Sequence, residues 1–181
     1  MNEPMKPLIY IAAAPEDVKY CGDLMRHLQA LCRQIGAEIW CDQKITAGCD
    51  RESERAEHLE RAVLVLLLVS IDLWDDEEYW GQVIEGAMEQ YSAGKTHVIP
   101  IRLRHCDWGG APFSTLEHLP KGEDAIFGLP DPEKAYTDIA LAIRTTLESM
   151  REPEAIRNPT SHPQPSAVSE QRKSDLMLSA L

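Results

Sequence analysis

The chain has 181 residues, 44% hydrophobic and 27% charged, which suits one domain with a substantial core plus an appendage. Its formal net charge of -12 argues against a groove for nucleic-acid phosphates, which relies on clustered Lys and Arg. The five cysteines (Cys21, Cys32, Cys41, Cys49 and Cys106) are odd in number and lack CxxC spacing, so reduced thiols are expected rather than a disulfide scaffold or metal site.

Residues 8–13 form a short apolar run rich in β-formers and read as a buried strand. The run is too short to span a membrane and lacks a signal peptide's basic start, so a soluble cytoplasmic protein with no membrane partner is expected. From 16 to 35 the spacing turns helical: Val18, Cys21, Met25, Leu28, Cys32 and Ile35 recur every three or four residues, and Gly36 supplies a left-handed cap. Residues 38–41 make a second strand. A mostly charged helix at 51–61 follows, with Leu59 and Ala62 as its apolar contacts, and the continuously apolar run at 62–69 reads as a strand covered on both faces.

A third helix is predicted over 80–93 and a fourth strand over 97–103. A long loop then leads to a weak fifth strand at 125–127. Asp131 caps a last helix with Pro132 in its first position, and Tyr136, Ile139, Ile143, Leu147 and Met150 face inward. Residues 151–170 carry Pro153, Pro159, Pro163 and Pro165 among polar residues, the composition of a disordered linker. Residues 171–181 have a short helical pattern, either a docking segment for a partner protein, the start of a second module, or a frayed end.

Strand and helix alternate, which predicts an α/β fold with a parallel sheet and helices on both faces. Five strands suit the flavodoxin-like order 2-1-3-4-5. Such sheets bind ligands beyond the carboxyl ends of their strands, at the switch point between strands 1 and 3, hence near residues 12–17 and 70–80. Ala13, Ser70, Trp80 and, at the end of strand 2, Trp40 are the candidate ligand contacts. Each tryptophan either stacks on a flat ligand or closes the core. The acidic run at 75–78 reads as a solvated helix flank that favours the helix dipole. No glycine-rich phosphate loop and no GxSxG elbow occurs, which argues against a dinucleotide oxidoreductase, a P-loop NTPase and a serine hydrolase.

Four segments, WCDQKITAG, LLLVS, HVIPIRLRHCDWGGAPF and LPDPEKAYTDIALAIR, carry a resemblance in their order and spacing. Over roughly residues 6–150 the chain resembles the TIR (Toll/interleukin-1 receptor) domain family, in its bacterial branch. The resemblance implies that the loop after strand 2, with Asp42, Lys44, Ile45 and Gly48, is that family's BB loop and takes part in self-association. It also implies a signalling module acting by TIR–TIR assembly in bacterial immune or defence signalling.

Other TIR domains are enzymes that break the nicotinamide–ribose bond of NAD, so the alternative is a TIR-type NAD nucleosidase. NAD would then be a substrate, and no cofactor is expected. In those enzymes a glutamate early in the third helix stabilises the cationic ribose. Counting without gaps from either flank puts Val83 at that position, whereas counting from Trp80 puts Glu85 there. The two differ by about 200° around a helix axis. The chain also departs from the family at YIAAAPED, where Ala12 and Ala13 replace a serine and a tyrosine, and at Ala47, which replaces the loop proline.

Overall fold

Continuous apolar runs give the two central strands, β1 (Leu8–Ala12) and β3 (Ala62–Val69), and every residue of both except Val63 is buried. β2 (Glu38–Trp40) and β4 (His97–Arg102) flank them, all pairs are parallel, and the order is β2-β1-β3-β4. This computed structural model describes residues 6–151. The chain divides into two units, Met1–Leu147 and Glu148–Leu181, and the sheet lies wholly in the first. The linker and tail expected at 151–170 and 171–181 lie outside the described residues, Arg151 apart.

Side chains alternate across the strands. Tyr10, Ala12, Val65, Leu67 and Val69 share one face, packed with Leu59 of α2 (Arg51–Arg61) and with Tyr79, Val83, Ile84 and Ala87. Ile9, Ile11, Leu64, Leu66 and Leu68 point the other way and are equally buried. Two further helices carry buried apolar stripes, α1 (Val18–Ile35) and α6 (Pro132–Arg151). They are tied to each other where Arg144 donates to Gln34 (2.8 Å) and where the His27 and Tyr136 rings lie 5.5 Å apart.

Most helix ends follow their local chemistry. Gly36 closes α1 at φ 67°, a left-handed conformation that glycine adopts without strain. Asp50 accepts the Ser53 N–H (2.8 Å) to start α2, and Asp131 accepts the Lys134 N–H (3.0 Å) to start α6. Residues 15–17 form a 3-10 turn, so α1 begins only at Val18. Val18 is consequently 45% exposed, and Leu24 and Leu31 join Cys21, Leu28 and Cys32 on the buried stripe.

Two expectations change. The third helix is preceded by α3 (Ile71–Asp75) and begins early, as α4 (Glu77–Tyr79). It passes through a π turn at Trp80–Ile84, where the Glu85 N–H bonds the Trp80 carbonyl, and continues as α5 (Glu85–Ser92). The sheet has four strands, not five. Residues 126–128 turn as a 3-10 helix, and Phe127 is 67% exposed, with its N–H on the Leu103 carbonyl (3.0 Å). Leu119 occupies the free edge of β4. It bridges to Ile101, donates to the Pro100 carbonyl (2.9 Å) and accepts the Arg102 N–H (2.7 Å). With that edge filled, the apolar run at 125–127, followed by Gly128 and Pro130, has no strand edge to pair with.

Candidate functional site

Two polar networks sit at the carboxyl ends of the strands, where an open parallel sheet places its ligands. The first is structural. Ser70, directly after β3, accepts the Leu73 N–H (3.2 Å) as the cap of α3 and donates to Asp17 Oδ2 (2.5 Å). Asp17 is fully buried and its other oxygen is held by Arg104. Arg104 also bonds Asp72 (2.7 Å). Burial pushes the Asp17 carboxyl above the usual carboxylate range, against the opposing pull of the Ser70 hydroxyl and the Arg104 cation. Ser70 therefore joins the exits of β1, β3 and β4.

The second network is built on Arg55 of α2, whose side chain is 6% exposed. Its Nε and Nη2 both reach Asp42 Oδ2, at 2.8 and 2.7 Å. Its Nη1 donates to Gln82 (2.7 Å) and lies 3.7 Å from Glu78, and its guanidinium stacks 4.6 Å from the Tyr79 ring centre. Asp42 Oδ1 is buried there without a hydrogen-bond partner, whereas the buried hydroxyls of Tyr10 and Tyr79 lie against each other and Tyr79 also meets the Ala13 backbone. An unpartnered buried carboxylate oxygen is uncommon in folded proteins. Alongside lies a pocket of about 190 Å³, lined by Ala13, Cys21, Cys41, Asp42, Gln43 and Arg55 among others.

The loop after β2 is fixed at its base and open at its tip. Asp42–Lys44 form a 3-10 turn, Gln43 donates to the Val18 carbonyl (3.1 Å), and Lys44 donates to the Ile39 carbonyl. Ile45 packs against the core, whereas residues 46–50 are exposed and Gly48 turns the chain at φ 93°. Of the four loop candidates, Asp42 is thus engaged by Arg55 and Ile45 is half-buried. Lys44 and Gly48 are exposed.

The other candidates do not gather in one place. Ala13 lines the pocket beside Asp42. Trp40 is 5% exposed and closes the core, stacked on His58 (4.4 Å, 16°) and 4.8 Å from Tyr10. Trp80 is half-buried between Trp74 (4.8 Å) and Phe113 (6.1 Å). Val83 is fully buried in the core, and Glu85 is exposed. Trp80 and Glu85 share an open depression of about 870 Å³ with Met88, Glu89, Gly110 and Pro112. Arg55, Asp17 and Arg104 escaped the sequence reading. Arg55 carried a usable signal, since it stands four residues before Leu59 and so shares its inward face.

Among the described residues, no three His, Cys, Asp or Glu side chains group as they would to hold a metal ion. Nor is any described helix long and apolar enough to cross a membrane.

No protein-family model matches the chain. It is 33% identical over 138 residues to the uncharacterized protein y4lF of Sinorhizobium fredii, a match covering 76% of this chain and 43% of that protein. The chain thus spans less than half the length of this relative. Among solved structures it is similar to the RPS4 and RRS1 TIR domain heterodimer, with a TM-score of 0.47 and 15% identity, over 78% of this chain and 98% of the other.

Proposed function

We propose that this chain is a TIR-type signalling module that acts by associating with further copies of itself, with residues 42–48 as the contact loop, in bacterial defence. The observation that carries this reading is the double anchoring of the loop base, Asp42 on buried Arg55 and Lys44 on the Ile39 carbonyl, beneath an exposed tip. A loop held in one shape loses little entropy when it docks, and loops on a rigid scaffold are where binding concentrates. The sequence resemblance of WCDQKITAG to the BB loop supports the same reading. The test is the concentration dependence of particle size by light scattering. Ile45→Asp and Gly48→Pro should each lower the oligomer size while the circular dichroism spectrum stays that of the folded chain. Unchanged size distributions at high concentration would remove this loop from the interface.

One observation favours the NAD-nucleosidase alternative. Glu85 and Trp80 line the same depression, whose volume falls within the range that binds small molecules. In that reading Trp80 stacks on the substrate and the Glu85 carboxylate stabilises the developing ribose cation. Nicotinamide release by concentrated protein supplied with NAD separates the two readings.

A further inference from the structure

Two cysteines far apart in sequence meet in the pocket beneath the loop. Cys21 lies in the first turns of α1 and Cys41 follows β2 directly, and both line the pocket of about 190 Å³. Elsewhere they are closed in, 1% and 2% exposed. The two thiols face the same small pocket and influence each other's ionisation, and the Cys41 thiol donates to Met25 Sδ (3.5 Å). Cys49, by contrast, stands exposed near the loop tip.

The surroundings of the pair are asymmetric. The Cys21 thiol, a backbone hydrogen bond at Gln43 and the Lys44 cation favour the Cys41 thiolate, which holds Cys41 down at about 7. The same contact with Cys41, together with burial, pushes Cys21 up. Of the two, Cys41 is the one whose thiolate is favoured, and Cys21 is the one held toward its protonated form. A reactive thiolate beside a resolving thiol, within reach of small molecules from a pocket, is the arrangement of a redox-responsive cysteine pair.

We propose that Cys41 and Cys21 form a disulfide when the protein meets a hydroperoxide, locking the base of the 42–50 loop to α1. The Cys41 thiolate attacks the terminal peroxide oxygen, the O–O bond breaks, and the other oxygen leaves as an alkoxide or hydroxide that takes up a proton. Cys41 is then a sulfenic acid. The Cys21 sulfur attacks the Cys41 sulfur as its proton leaves, the S–O bond breaks, and water departs. Two thiols have lost two electrons and two hydrogens to the peroxide, giving one disulfide, one alcohol or water, and one water. Because Cys41 adjoins Asp42, drawing Cys41 toward α1 pulls on the residue that Arg55 holds. Bond formation does not depend on the assembly reading, although its effect on assembly does.

The experiment treats the full chain with hydrogen peroxide and maps its peptides by mass spectrometry without reduction. A Cys21–Cys41 linked pair, two hydrogens lighter than the separate thiol peptides, is expected. In Cys21→Ala, Cys41 should instead accumulate as a sulfenic acid that dimedone captures. Alkylation of Cys41 by iodoacetamide should reach half its maximal rate near pH 7. Recovery of both residues as free thiols after Cys49 has been oxidised would overturn the proposal. So would a Cys41–Cys49 linkage in place of Cys21–Cys41.

Discussion

Arg55 reaches a single oxygen of Asp42 with two N–H donors, at 2.8 and 2.7 Å, and leaves the second oxygen buried without a partner. Such a pair is costly to break from one side, because the charge left behind keeps its desolvation and loses its compensation. Arg55→Met should therefore destabilise the fold by about 3 kcal/mol and speed hydrogen exchange across residues 42–50. Arg55→Met combined with Asp42→Asn should recover part of the loss, since neighbours in one network are not additive. Equal melting temperatures for the parent and Arg55→Met would refute the argument.

Asp17 gives a pH dependence of defined sign. Its carboxyl is raised by burial above its value in the unfolded chain, so the native state keeps the proton to higher pH. The associated stability is fully present below the unfolded value of about 3.9 and is lost as pH rises through the raised folded value. Arg104 and Ser70 work against the shift, whereas Asp72 and Glu16 add to it. Urea titrations of the parent chain and Asp17→Asn should show the parent's relative stability falling as pH rises through that acidic window. A difference that is flat or grows with pH would contradict the assignment.

Val83 tests the ungapped alignment directly. Its side chain is fully buried among Tyr10, Leu59, Val65 and Ala87. Val83→Glu should not create an NAD-cleaving site. It should instead destabilise the domain by roughly 3 kcal/mol or more, because it moves a carboxylate out of water and among apolar core neighbours. Nicotinamide release by a stably folded Val83→Glu protein would reverse that conclusion.

Glu85→Gln removes a charge from an exposed position and should leave the stability unchanged within about 0.5 kcal/mol. If the alternative function holds, the same substitution abolishes nicotinamide release. Release that survives it would move the chemistry to another residue.

Much of the fold was legible because the strongest signals are local. The apolar runs of β1 and β3, the charged α2, Gly36 after α1 and the Asp131–Pro132 start of α6 each announce themselves within a few residues. The illegible part depends on distance in sequence or on competition. Asp17 meets Ser70 across 53 positions and Arg104 across 87, and no spacing rule foretells either contact. The fifth strand failed because Leu119 had already taken the edge. The π turn at Trp80–Ile84 adds one residue to a helical turn, so residue counts carried across it fall out of phase. Val83 and Glu85, two residues apart, face the core and the solvent respectively.

The two ends of the sheet carry a consequence for how copies of this chain can meet. A strand edge with free N–H and C=O groups invites another chain to extend the sheet, the route by which proteins aggregate or swap strands. Here the β4 edge is plugged by Leu119, and β2 is three residues long with its Ile39 carbonyl taken by Lys44. Sheet-to-sheet joining is thereby discouraged at both ends. Were copies to associate as proposed, their contacts would run through loops and helix faces, specified by side chains rather than by a shared sheet.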